Sequence, residues 1–271
     1  MKILFLANRD LASNFALNQL LPQISTHHDL HLWLSAKVGN NNKPPAQVKL
    51  LKFFEQDLFN TLLSPLMSQA KIQANNTYKS FEQFNCFLTT KIEQVNQINA
   101  PAVVNHLKAL SPDLIISIRY GCILKAPVIT IPKQGVLNLH SGILPKYKGV
   151  MATFWALKNN DVEVGTTLHT IEDASIDTGH IIKISKLKAQ VTNSYLWHVL
   201  ELYKQGALDV LSAINTLEKG ELLNKQPQKE SDTYFTFPNQ LDCNAFENKG
   251  IKMVDEQAYM RFIQEHYLTG A

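Results

Sequence analysis

The sequence predicts an α/β fold: a Rossmann-like, mostly parallel sheet with helices on both faces, followed by a small C-terminal β-rich appendage. Three observations carry this expectation. Short runs that are apolar on both faces, KILFLA (2–7), LHLWLS (30–35), PDLIISI (112–118) and GVLNLH (135–140), read as strands covered on each side. Helical patterns separate them. Turn residues stand where one periodicity gives way to the other.

In chain order, the first strand ends in Asn8, Arg9 and Asp10, and a helix follows with Phe15, Leu17, Leu20 and Leu21 on its apolar side. The second strand is followed by GNNNKPP, which opens an insertion over about 39–95 containing the helix-like FFEQDLFNTLLSPLMSQ. Pro101 opens the next helix, and Ser111 and Pro112 lead from it into a strand. VGTTLHT (164–170) and HIIKIS (180–185) are further strand-like segments. The clearest helix spans 193–220, opened by Asn193 or Ser194 and closed by Gly220, with Leu196, Leu200, Tyr203, Ala207, Val210, Ile214 and Leu217 on one stripe. Beyond it the texture turns polar and aromatic, as in TYFTFP (233–238). The expected division is a main domain over 1–220 and an appendage over 221–271.

With 271 residues, 45% hydrophobic and 18% charged, the chain can bury a core without disulfide staples. A net charge of +3 with no basic stripe does not point to nucleic acid and suits a small anionic ligand better. Cys86, Cys122 and Cys243 are odd in number and lack CxxC spacing, and MKILFLANRD turns polar too early for a signal peptide, so a reducing cytoplasmic location is expected. No apolar run reaches membrane-spanning length.

Asn138 and His140 close a strand that runs into the loop SGILPKYKG, and their spacing of two puts both on one face. An amide can donate to a developing oxyanion, and an imidazole can exchange protons near neutral pH. Asp177, in EDASIDTGHII, supplies a loop carboxylate, and the three together suit acyl transfer. Each also has a plainer explanation: a packed strand-end histidine, a loop-fixing asparagine, an Asx-turn aspartate. His169, on the same face as Thr167, reads equally as a support for the site or as a half-buried strand residue. The two histidines have no third ligand at a recognisable spacing, so no metal is expected. Neither G-x-G-x-x-G nor a P-loop is present. Lys146 and Lys148 flank Tyr147 and would offer charge to a phosphate-bearing substrate.

NLHSGILPKYKG, FWAL (154–157), VGTTLHTIEDASIDTG (164–179) and, more loosely, PDLIISIRYGCIL (112–124) together resemble the formyltransferases that use 10-formyltetrahydrofolate. The resemblance implies that Asn138, His140 and Asp177 are catalytic. It also implies a folate pocket built largely from backbone at Arg119, Tyr120, Gly121, Cys122 and Ile123 and from Ile171, Asp173 and Ile176. The chain departs from the family pattern at Lys148, where arginine is common, and in VMAT (150–153), which lacks a frequent proline. Among acceptors, methionyl-tRNA enzymes look longer than the roughly fifty residues after Gly220 would allow. Glycinamide ribonucleotide enzymes usually show a Gly-rich turn that ANRDLASN lacks. The resemblance is strongest to the nucleotide-sugar N-formyltransferases, with Tyr147, Lys148 and Tyr234 as substrate-binding residues and a homodimer through the C-terminal part. Another amine acceptor, or a non-catalytic folate-binding relative, stays open.

Overall fold

The structure is a computed structural model that describes residues 1–36, 43–69 and 78–268. Positions 39–42 and 70–77 of the expected insertion lie outside the described residues. The strands are β1 (Lys2–Asn8), β2 (Asp29–Ser35), β3 (Glu93–Gln94), β4 (Leu114–Ile118), β5 (Val136–His140), β6 (Lys148–Gly149), β7 (Glu163–Ile171), β8 (Ile181–Lys188) and β9 (Tyr234–Phe235). Seven of them form one sheet in the order β3-β2-β1-β4-β5-β7-β8, and β6 pairs with β9 in a second. From β3 to β5 every pairing is parallel. The last two pairings, β5 with β7 and β7 with β8, are antiparallel, and residues 172–180 turn the chain back so that β8 runs directly along β7.

The period of two in the strands divides the interior into two cores. Ile3, Phe5, Ala7, Ile116, Ile118, Leu137 and Leu139 face one, whereas Leu4, Leu6, Ile115 and Val136 face the other. On the second face the apolar pattern stops at Ser117, Asn138 and His140, near the carboxyl ends of β4 and β5. In parallel sheets that is the end where ligands bind.

Helix α1 (Leu11–Ile24) begins at Asp10, whose carboxylate accepts the Ser13 N–H at 2.8 Å. The expected insertion comprises α2 (Ala46–Lys52), a π-helical stretch (Phe53–Leu63), α3 (Ser64–Gln69) and a 3-10 turn (Phe81–Cys86) before β3. It buries Phe54, Phe59, Phe81 and Phe84 in the first core. Helices α4 (Pro101–Leu110) and α5 (Ala126–Ile129) cover the second core with Val104, Leu107 and Val128. Helix α6 (Ala152–Lys158) follows the loop after β5, and α7 (Tyr195–Glu218), capped by Ser194, packs its whole apolar stripe on the first face.

The C-terminal segment supplies the expected extra strand, but β9 pairs in parallel with β6 rather than folding into a hairpin of its own. Most of the rest is helical: α8 (Gln240–Glu247) and α9 (Glu256–Ile263) add Cys243, Phe246, Tyr259 and Ile263 to the first core. Among the described residues no helix is long and apolar enough to cross a membrane.

Candidate active site

The register between β5 and β7 sets Asn138 opposite His169 and His140 opposite Thr167, all on the polar face. Asn138 donates an amide N–H to His169 Nε2 at 3.0 Å. That assignment follows from the other ring nitrogen, since His169 Nδ1–H donates to the Thr170 carbonyl at 2.8 Å. His140 Nε2–H donates to the Tyr147 carbonyl at 2.7 Å, which leaves Nδ1 facing Asp177 Oδ2 at 3.6 Å. Asp177 also lies 3.5 Å from His169 Nε2 and accepts the Gly149 N–H at 2.8 Å. The carboxylate therefore sits between two imidazoles with a backbone donor beneath it.

Burial by itself would raise the Asp177 carboxyl. The neighbouring His140 imidazole and the Gly149 N–H outweigh burial and bring it down to about 2. Such a carboxyl stays ionised at neutral pH. It can orient a protonated imidazole and balance its charge, but it is a poor resting place for a proton. Asp177 holds a left-handed backbone conformation (φ 56°), a local strain that the three contacts maintain.

Sequence reasoning left His169 undecided; the pairing register makes it the bridge between Asn138 and Asp177. Thr167, its same-face neighbour, fixes the loop after β5: its hydroxyl donates to the Gly142 carbonyl at 2.7 Å and accepts the Leu144 N–H at 3.1 Å. At Gly142 a Cβ would stand 2.6 Å from His140 Nε2, so only glycine lets the chain pass the ring. Gly149 (φ 98°) is equally constrained, because a Cβ there would meet the Phe235 carbonyl at 2.1 Å. The Val150 N–H donates to that carbonyl at 2.8 Å, and Phe235 stacks on Tyr147 and Trp155 with centroids 5.4 and 5.0 Å apart. A strand from the C-terminal segment thus holds the loop whose Gly149 N–H reaches Asp177.

Tyr147, expected as a substrate-binding residue, is 1% exposed, with its hydroxyl donating to Asp161 at 2.9 Å. It packs the loop from below and does not meet solvent. Lys148 Nζ donates to the Ser231 carbonyl at 2.8 Å, and Tyr234 lies half exposed beside Gly149. Arg119 also takes a left-handed conformation (φ 57°), which interrupts strand alternation and sends its guanidinium away from the polar face. There it meets Asp10 at 3.0 Å and both Glu55 oxygens at 3.0 and 3.1 Å. The Arg119 guanidinium is thus committed to these two acids. Tyr120 donates to the Val95 carbonyl at 2.6 Å, the Gly121 N–H donates to Ser35 Oγ at 3.0 Å, and Cys122 Sγ lies 3.1 Å from the Asn96 carbonyl. Ile123 is exposed, Ile171 and Ile176 are half-buried, and Asp173 accepts the Ser175 N–H at 2.7 Å.

Residues 65–196, which hold β4, β5, β7 and all four polar side chains of the cluster, match the family described as Formyl transferase. That segment is similar to the formyl transferase family. The methionyl-tRNA formyltransferase of Synechococcus sp. (strain JA-3-3Ab) is 35% identical over 131 residues, covering 48% of this chain and 40% of the relative. That of Fusobacterium nucleatum is 29% identical over 166 residues, covering 61% and 53%. The chain thus spans about half the length of these curated relatives. Among solved structures, a Helicobacter canadensis N-formyltransferase in complex with folinic acid and dTDP-3-aminofucose aligns over 95% of this chain and 82% of its own, at TM-score 0.59 and 18% identity. Glycinamide ribonucleotide transformylase 1 from Symbiobacterium toebii aligns over 84% and 94%, at TM-score 0.58 and 15% identity. At these identities the structural likeness establishes a shared fold, and the formyl transferase segment rests on the sequence match.

Proposed function

We propose that this chain transfers a formyl group from 10-formyltetrahydrofolate to the primary amine of a nucleotide-linked amino sugar. The observation that carries the proposal is the Asn138, His169, Asp177, His140 cluster at the end of β5. The donor brings the formyl group and its leaving nitrogen. Asn138 has a second amide N–H beyond the one given to His169, and with the His140 imidazole it supplies the positive side of a site for a developing oxyanion. Asp177 keeps His140 oriented and balances its charge, and the proton released by the attacking amine passes through His140 rather than resting on a carboxyl held near 2. The partly buried Tyr120, Cys122 and Ile171, which pack on the second core beside exposed loop backbone at 172–175, suit a flat heteroaromatic ring with polar edges.

Methionyl-tRNA is the second acceptor to weigh, because the curated relatives carry that activity in their names. The mild charge of +3 and the structural likeness to an enzyme complexed with dTDP-3-aminofucose favour the smaller acceptor. Three free cysteines fit a reducing, cytoplasmic setting, and a homodimer through the C-terminal part remains part of the proposal. Tetrahydrofolate release should be screened against nucleotide amino sugars, glycinamide ribonucleotide and charged initiator tRNA. Turnover with a nucleotide amino sugar alone is expected, and turnover with tRNA alone would overturn the acceptor assignment.

A further inference from the structure

Asp177 is carried by the loop over 172–180, in which residues 172–175 and 178 are exposed. Its carboxylate accepts the Gly149 N–H at 2.8 Å and faces the His140 ring at 3.6 Å. A side chain is placed no better than the main chain that carries it. Among the described residues no group other than Gln228 hydrogen-bonds the Asp177 main chain. The Gln228 amide nitrogen donates to the Asp177 carbonyl at 2.9 Å and to the Gly179 carbonyl at 2.6 Å. One amide therefore spans Thr178 and ties down both sides of the turn in which Asp177 takes its left-handed conformation (φ 56°). The far side of that turn is anchored as well, since a Cβ at Gly179 would meet the Thr170 carbonyl of β7 at 1.8 Å.

The orientation of this amide is fixed by its partners, because reversing it would bring three oxygens together with no proton among them. As it stands, Gln228 Oε1 is buried without a partner. An amide that leaves its acceptor unsatisfied is a poor choice for packing alone, so its two donors account for its presence. The chain around Gln228 runs along the cluster. Gln226 and Ile181 exchange two backbone hydrogen bonds at 2.8 Å, the Ser231 carbonyl accepts from Lys148 Nζ, and Tyr234 and Phe235 pair with Lys148 and Gly149. The C-terminal segment thus grips both loops that the bond between Gly149 and Asp177 joins. We propose that Gln228 is a positioning residue for the Asp177 cluster: by holding the main chain on both sides of Thr178 it keeps the carboxylate against His140 during formyl transfer. This rests on the formyl-transfer reading above, and it falls on a residue outside the matched segment and outside every motif read from the sequence.

The test uses the full chain, read by histidine nitrogen-15 spectra and by turnover. Asp177→Asn shows what the His140 ring signals become without the carboxylate. Gln228→Ala should move them toward that position and add no further movement in the Asp177→Asn background. The signals of His28, which precedes β2 at the opposite end of the sheet, should stay in place. In turnover, read as tetrahydrofolate release with an accepted amine at saturating donor, Gln228→Ala should lose about tenfold to 10²-fold in kcat. Gln228→Glu keeps the shape, but its ionised carboxylate has no proton for the two carbonyls. It should match the alanine variant at neutral pH and regain turnover relative to the wild type as the carboxyl is protonated at lower pH, a recovery that a residue needed only for its shape would not show. Unmoved His140 signals in a folded Gln228→Ala chain would overturn the clamp, as would turnover indistinguishable from the wild type in both variants. If Gln228→Ala does not fold, Gln228→Glu carries the same comparison. A wild type that releases no tetrahydrofolate with any amine would instead overturn the formyl-transfer reading, and the His140 signals would still decide the clamp.

Discussion

Two buried charged clusters stand on opposite faces of the same sheet, and they treat a carboxylate in opposite ways. At the end of β5, Asp177 lies between His140 and His169 and is brought down to about 2. At the end of β4, Glu55 is raised to about 7: burial pushes it up, Arg119 opposes, and Asp10 adds repulsion. Distance to the side-chain partner does not account for the contrast, since Glu55 lies 3.0 Å from Arg119 and Asp177 lies 3.6 Å from His140. Arg119 must serve two acids at once, whereas Asp177 has the His140 imidazole and a backbone N–H to itself. The Glu55–Arg119–Asp10 cluster fastens the insertion to β1 and β4; the Asp177 cluster is the one proposed for chemistry.

The largest effect should come from the β5 cluster. His140→Ala or Asp177→Ala is expected to lower turnover by about 10²–10⁴-fold, read as tetrahydrofolate release with an accepted amine. Urea unfolding should show the fold intact. Near-normal rates in either variant would remove the cluster from the chemistry. At the other cluster the loss should be of stability: Arg119→Met leaves Asp10 and Glu55 buried without their cation, at a cost of about 3–5 kcal/mol in denaturant unfolding. If that variant unfolds like the wild type, the triad does not fasten the insertion.

A smaller effect is expected where the C-terminal strand β9 holds the loop after β5. Phe235→Ala removes the ring between Tyr147 and Trp155 and should cost roughly 1–3 kcal/mol, with a drop in turnover because Gly149 no longer presents its N–H steadily to Asp177. Unchanged turnover in the folded variant would separate the strap from the site.

The smallest effect, and the one that sharpens the contrast most, is in the pH dependence of stability. Asp177 is depressed from 3.8, so its contribution is present above that value and fades as pH falls toward about 2. Glu55 is raised from 4.5, so the stability it lends is full below that value and fades as pH rises through about 7. Asp177→Asn should flatten the acidic limb of a stability profile and Glu55→Gln the limb between about 4.5 and 7. The same change in both variants would mean that the two carboxylates are not held differently.

Much of the first cluster was legible in the sequence, because a spacing of two on a strand fixes a common face for Asn138 and His140 whatever the rest of the chain does. The DTG turn offered Asp177 as a loop carboxylate. His169 could be placed on the same face as Thr167, but its bond to Asn138 depends on the β5–β7 register, which local sequence does not encode. The second cluster was illegible for a different reason. A positive φ at Arg119 reverses the side chain, and the partner Glu55 comes from an insertion with no diagnostic pattern. The stacking of Tyr147 under Phe235 joins segments far apart in the chain, and local sequence carries no sign of it. The strands β1, β4 and β5 were plain from their apolar runs, whereas the parallel pairing of β9 with β6 joins segments far apart in the chain.

Calorimetric titration of the wild-type chain with 5-formyltetrahydrofolate, a stable stand-in for the donor, needs no knowledge of the acceptor and probes the polar face of β5 itself. Saturable binding is expected, followed by amine-dependent release of tetrahydrofolate when 10-formyltetrahydrofolate is supplied with a nucleotide amino sugar. A folded sample that binds no 5-formyltetrahydrofolate at millimolar concentration would contradict the assignment of this face to formyl transfer.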